Sequence, residues 1–190
     1  MRDKRIGFAI TGSHCTLAKI IGPITELVED GNAVFPIISA SVVRDTRFGL
    51  AKDWLAKFES ITGNPVIDSI VAAEPVGPQL NLDVVVVAPA TGNTLAKLAS
   101  AITDTTVTMA VKAQLRNERP VVLALATNDG LAGSARNIGA LLDKKNVFFV
   151  PFGQDDPHGK PRSLVSDMAL LGVTIQAALA GKQIQPILIR

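Results

Sequence analysis

The 190-residue chain is 47% hydrophobic, enough apolar surface to fill the core of one ordinary domain. Aromatic residues make up 4% and tyrosine is absent, which excludes the stacking platforms that grip single-stranded nucleic acid. With 19 basic and 17 acidic residues the net charge is +2, too near balance for a DNA- or membrane-binding surface.

The single cysteine excludes a disulfide framework and suits a reducing compartment. The first five residues are charged, and the apolar run after them is too short for a signal-peptide core or a membrane span. A soluble cytoplasmic protein is therefore expected.

Residues 6–11 form a short apolar run stopped by Gly12-Ser13, the profile of a buried parallel strand. Leu17, Ile20, Ile21, Ile24, Leu27 and Val28 follow at helical spacing, with a kink expected at Pro23 and an end at Gly31-Asn32. Residues 33–39 read as a second strand despite Pro36. A polar loop over 44–49 leads to a helix bearing Leu50, Trp54, Phe58 and Ile61, closed by Gly63-Asn64-Pro65. Residues 65–82 allow a short strand and a short helix around Pro75 and Pro78.

The run at 83–88, Asp-Val-Val-Val-Val-Ala, is the clearest strand. Helices are expected from Gly92-Asn93 to about 101 and over 107–116. Then come a strand over 120–126, a helix over 130–142 and a strand over 146–150. Residues 151–163 read as a loop with the character of a lid. Leu164, Met168, Leu171, Ile175 and Ala178 mark a last helix, and 182–190 form an apolar tail that adds a strand or packs on a partner. Strands alternating with helices imply an α/β fold, a doubly wound, Rossmann-like parallel sheet of about six strands in three layers. No linker divides the chain, so residues 1–190 are expected to form one domain.

In such folds ligands bind beyond the carboxyl ends of the strands. The turn after the first strand is Thr11-Gly12-Ser13-His14-Cys15-Thr16. Its glycine permits close backbone approach, and free N–H groups at a helix start favour an anion. It has neither the glycines of a dinucleotide loop nor a Walker pattern, so a mononucleotide phosphate fits better. The bland alternative is an ordinary turn with Ser13 as helix cap. Cys15 reads as a small buried hydrophobe rather than a reactive thiol. With His14 and His158 as the only histidines, no structural zinc site is expected, and no Ser-His-Asp pattern suggests a hydrolase.

The segment Ala88-Pro89-Ala90-Thr91-Gly92-Asn93-Thr94-Leu95-Ala96-Lys97-Leu98-Ala99, with Asp104 beyond it, holds amide and hydroxyl groups at the sheet rim. Asn93 and Thr94 read as the cap of the helix that follows. Two strands end alike, in Ala90-Thr91-Gly92-Asn93 and Ala126-Thr127-Asn128.

This segment resembles the Pro-Ala-Ser-Ala-Asn-Thr motif of the homo-oligomeric flavin-containing cysteine decarboxylases. That superfamily includes phosphopantothenoylcysteine decarboxylase and the flavin prenyltransferases. The resemblance spans nearly the whole chain and implies an FMN site in a homo-oligomer. By resemblance, Gly12, Ser13 and Ser39 hold the phosphate, while Ala90, Asn93 and Thr94 contact the ribityl chain or the ring. Thr11, His14, Thr91, Thr127 and Asn128 complete the cofactor set that the resemblance implies.

Two departures matter. Arg47-Phe48 stands where the family's decarboxylases carry a catalytic His before a Phe. Ala126-Thr127-Asn128-Asp129 replaces their Pro-x-Met-Asn stretch. Both move the chemistry away from cysteine decarboxylation. Thr11 to Thr16, Ala88 to Thr94 and Pro151-Phe152-Gly153-Gln154-Asp155-Asp156-Pro157 resemble most a sporulation branch of the superfamily. That branch implies oxidation of a dihydropyridine dicarboxylate beside a partner subunit carrying NAD(P), in the mother-cell cytoplasm. Arginine pairs with carboxylates bidentately, so Arg44, Arg47, Lys160 and Arg162 are candidate substrate contacts. Each also reads as a solvated surface charge. Two alternatives remain: a non-catalytic subunit that binds nucleotide or stabilises its partner, and a decarboxylase- or prenyltransferase-type flavoprotein.

Overall fold

The computed structural model describes residues 1–77 and 79–189. Strand β1 (Arg5–Ile10) leads through a 3-10 helix (His14–Ile20) into α1 (Ile21–Glu29). The expected kink at Pro23 is realised as this change of helix type. Proline has no N–H to give and its ring crowds the carbonyl four residues back. The α-helix therefore starts late enough to place Pro23 in its first turn. Strand β2 (Ala33–Ile38) runs parallel to β1 on the edge of the sheet. The Pro36 carbonyl faces outward, accepting from the Ile67 N–H at 2.8 Å, so the missing donor costs the β1–β2 ladder nothing. Helix α2 (Ala51–Thr62) ends at left-handed Gly63.

Beyond α2 come an isolated bridge from Ile67 to Ile37, α3 (Ile70–Ala73) and a 3-10 turn (Glu74–Val76). Pro78 lies outside the described residues. Next come β3 (Val84–Ala90), α4 (Gly92–Ala99), α5 (Thr106–Arg116) and β4 (Val121–Thr127). Both strands are buried along their whole length, as continuous Val/Leu/Ala runs require. Alternate residues feed opposite faces. Val84, Val86, Val122 and Ala124 pack in one core with Phe8, Phe58 and Ile175, whereas Val85, Val87, Leu123 and Leu125 pack in the other with Leu95 and Val107. Those two cores make the three layers.

Helix α6 (Ala135–Leu142) begins five residues later than expected. The Asp129 carbonyl accepts from the N–H groups of Ala132 and Ser134, which folds 130–134 into turns instead. Strand β5 (Val147–Phe149) pairs only with the first half of β4. The bare second half is covered by β7 (Leu164–Ser166), antiparallel, which pairs in turn with β6 (Phe152–Gly153). Ser166 locks the junction, its hydroxyl donating to the Val150 carbonyl and accepting from the Leu125 N–H. An unpaired strand edge carries orphan backbone groups, and this hairpin satisfies them. The loop expected over 151–163 is thus the connection inside a hairpin.

The last helix is correspondingly shorter than its apolar spacing suggested. It consists of a 3-10 turn (Met168–Leu170) and α7 (Leu171–Leu179). The tail adds a strand-like contact, with Ile187 and Ile189 bonded to Phe152 and the Gln183 amide bonded to both backbone groups of Phe149. The parallel strands stand in the order β2-β1-β3-β4-β5, with β7-β6 completing a sheet of seven. No helix among the described residues is long and apolar enough to cross a membrane.

Candidate functional site

Strand order reverses between β1 and β3, which opens a crevice beyond their carboxyl ends. There a cavity of about 680 Å3 is lined by the Gly12–Thr16 turn, Lys19, Arg47, Phe48, Thr91, Gly92, Thr127, Asn128, Asp155, Lys160 and Ser163. Its size falls within the roughly 300–1,000 Å3 of small-molecule sites.

Thr11 ties the two strand ends together. Its buried hydroxyl donates to the Pro89 carbonyl at 2.6 Å and accepts from the Thr91 N–H at 3.2 Å. That hydroxyl is occupied within the protein, and Thr11 shapes the cavity without lining it.

Gly12 lies against the loop after β2. A Cβ there would stand 2.6 Å from Ser41 Oγ and 2.7 Å from Ser41 Cβ. Ser41 in turn lies 2.7 Å from the Ser39 hydroxyl. Gly12 and Ser13 therefore stand beside the Ser39–Ser41 pair, which lies behind the turn and does not itself line the cavity. Ser13 makes no helix-capping bond; its hydroxyl faces that of Thr16 at 3.0 Å. Cys15 is exposed on the cavity wall, which overturns its expected burial.

At the other side, Thr91 rather than Asn93 or Thr94 caps α4, accepting from the Thr94 N–H. That cap turns Asn93 outward. Asn93 lines an adjoining polar depression of about 500 Å3 with Arg136, Asn137 and Ser134, separated from the main cavity by the shared Gly92, Thr127 and Asn128. Thr94 and Ala90 are buried behind the rim. Gly92 has no room for a side chain: a Cβ would lie 2.7 Å from Ser134 Oγ, 2.7 Å from Thr127 Oγ1 and 2.8 Å from Asp129 Oδ1.

Those three atoms form a cluster that no sequence pattern singles out. Thr127 and Ser134 both donate to Asp129 Oδ1. The Thr127 hydroxyl is the main reason the Asp129 carboxyl is held below its ordinary value; desolvation opposes it and Ser134 assists. A lowered folded value gives stability that is present above the ordinary value of 3.8 and is lost as pH falls through the folded one. Asp129→Asn is accordingly expected to be less stable than wild type at neutral pH, with the gap closing below pH 3.8. Urea denaturation at both pH values reads this directly, and a gap that does not change with pH contradicts it.

The cavity is positive. Lys19, Arg47 and Lys160 line it against one carboxylate, Asp155. The Asp155 carboxyl is held below its ordinary value chiefly by the Ser163 hydroxyl, against desolvation, with Lys160 at 3.3 Å helping. Reciprocal bonds between Thr46 and Gly49 form a tight turn with Arg47-Phe48 at its tip, the guanidinium 4.8 Å from the Phe48 ring centre. Of the four cations proposed from sequence, Arg47 and Lys160 reach the cavity, whereas Arg44 and Arg162 are exposed and do not line it. Lys19 and Ser41 were not foreseen. Only tertiary packing brings the first helix and the 39–50 loop to the same corner.

The crevice at the β1/β3 switch point of this α/β fold is lined by cations and polar groups, and the chain belongs to the Flavoprotein family, whose model matches residues 1–162. It is 52% identical over 190 residues to the B subunit of dipicolinate synthase from Bacillus subtilis (strain 168), covering 100% of this chain and 95% of that protein. The crystal structure of the corresponding dipicolinate synthase protein from Bacillus halodurans matches with a TM-score of 0.92 at 47% identity, covering 100% of this chain and 97% of that one. Burkholderia xenovorans DmrB, solved in complex with FMN, shares the fold with a TM-score of 0.69 at 21% identity, covering 94% and 96%.

Proposed function

We propose that this chain is the flavin-binding subunit of a dipicolinate synthase, oxidising dihydrodipicolinate to dipicolinate in the mother-cell cytoplasm of a sporulating bacterium. The observation that carries this reading is the single cavity joining the Gly12–Thr16 turn to Arg47 and Lys160. The residues suit FMN. Gly12, Ser13 and the Ser39–Ser41 pair give a close-approach corner with hydroxyls for a phosphate, and Lys19 adds positive charge beside it. Thr91, Gly92, Thr127 and Asn128 would flank the ring side, and His14 the opening. FMN, when bound, supplies a two-electron acceptor for a hydride.

The protein's own part is to bind and orient the dicarboxylate. Arg47 offers a fork that matches a carboxylate, and Lys160 a second positive charge. The substrate loses one hydride and one proton to become aromatic. The companion that the lettered name of the Bacillus subtilis relative implies, the dipicolinate synthase A subunit, would carry the NAD(P) that takes up those electrons.

The test is dipicolinate formation by this chain, FMN, the companion subunit, and NAD(P) together. Arg47→Ala is expected to raise KM about 10-fold while FMN affinity stays as in wild type. Unchanged kinetics would remove Arg47 from the substrate site.

A second reading is a non-catalytic nucleotide-binding subunit that stabilises its companion. It is favoured by Arg47 standing where the family's decarboxylases carry histidine. Turnover of dihydrodipicolinate by this chain with FMN, in the absence of the companion, sinks it.

A further inference from the structure

A groove of about 450 Å3 opens at the other end of the sheet, where β4 and β5 begin. Its floor is apolar: Leu98, Ile102, Val111 and Leu115. Ile102 is 47% exposed, an uncovered aliphatic side chain in the middle of a charged rim.

The rim carries Lys112, Arg116, Lys144 and Lys145, against Glu118 as the one acidic lining residue among those described. Four positive charges less one negative give +3, whereas the whole chain sums to +2. The rest of the molecule then sums to −1 (+2 less +3), with the cofactor cavity as its second positive cluster.

Local structure accounts for part of the rim. Lys144 Nζ lies 3.4 Å from the Leu98 carbonyl, meeting the negative end of α4. Lys145 takes Glu118 at 3.6 Å. Lys112 and Arg116 stand one helical turn apart on α5 and form no ion pair among the described residues. Two unpaired cations flanking an apolar trough match an acidic segment with aliphatic anchors.

We propose that this groove docks such a segment from the companion subunit. The proposal rests on the reading that the chain works beside a companion. Strand β4 separates the groove from the cofactor cavity by about 20 Å, at roughly 3.3 Å per residue. A partner tethered here leaves the cavity open to substrate.

The test uses the full chain and the purified companion, with affinity read by isothermal titration. Two variants are compared with wild type: Ile102→Glu and the double variant Lys112→Glu/Arg116→Glu. Their exposed side chains lie outside the cofactor cavity, and a thermal melt of each variant serves as the check on folding. Both variants are expected to weaken binding of the companion at least about 30-fold, because each sets like charge against an acidic segment. FMN affinity stays at the wild-type value. Wild-type affinity for the companion in both variants overturns the proposal, as does failure of the companion to bind wild type. Light scattering covers the remaining occupant. A smaller oligomer that still binds the companion fully assigns the groove to a second copy of this chain and also overturns it. Should wild type bind the companion through the groove but take up no FMN, the flavin reading fails and the docking proposal stands.

Discussion

Gly12→Val is expected to lower FMN affinity about 100-fold, or about 2.8 kcal/mol, with only a modest fall in thermal stability. A Cβ at this position would meet Ser41 Oγ at 2.6 Å and Ser41 Cβ at 2.7 Å, and valine adds two methyl groups beyond it. Ser41 is an exposed loop residue, so the 39–50 loop can move away without opening the core. That displacement separates the Ser39–Ser41 hydroxyls from Ser13, and the proposed phosphate corner comes apart. Fluorescence titration beside a thermal melt distinguishes this from unfolding. A variant that melts like wild type and binds FMN like wild type removes the corner from the site.

The second large effect is expected at Gly92. Here the neighbours are tied to one another rather than to a movable loop. Thr91 is bonded to Thr11, the α4 cap is in place, and the neighbours are Ser134, Thr127 and Asp129, already bonded to one another. Gly92→Val forces apart a packed cluster and leaves the hydroxyl of Ser134, itself 2% exposed, without its acceptor. Overpacking and a lost buried hydrogen bond together cost about 3 kcal/mol or more. Gly92 also separates the two depressions of the site, so FMN binding falls with stability. Urea denaturation within about 1 kcal/mol of wild type contradicts this account of the cluster.

The two glycines differ in how they can be read from sequence. Both close strand-end turns, and the Val run before Gly92 and the apolar run before Gly12 mark those strands clearly. The need for glycine at each comes from residues far along the chain, Ser41 for one and Ser134 for the other, and no local pattern carries that. The same limit explains the other differences. Leu164 and Met168 share a helical spacing with Leu171 and Ile175, yet Leu164 belongs to a three-residue strand. What decides its conformation is the bare edge of β4, which only the folded sheet reveals. The helix over 130–142 loses its first turn to Asp129, whose carbonyl and carboxylate both hold the chain there.

For the site, the Thr11–Thr16 turn and the Arg47-Phe48 pair were legible, one from a strand stopped by Gly-Ser, the other from its place in the family pattern. Asn93 sits two positions past the helix cap, and the outward turn that follows from capping by Thr91 separates it from the main cavity. Arg44 and Arg162 flank the two cations that do line the cavity. Sequence distance alone does not tell them apart, because the tight turn at Thr46–Gly49 selects Arg47.

The central claim is that the crevice between β1 and β3 is a flavin site. Titrating FMN into the purified wild-type chain, by itself and with its companion, tests it most directly. The expected result is saturable quenching of flavin fluorescence at one FMN per chain, shifted to about 100-fold higher concentration in Gly12→Val. Free-flavin fluorescence that persists unquenched at saturating protein, with and without the companion, contradicts it.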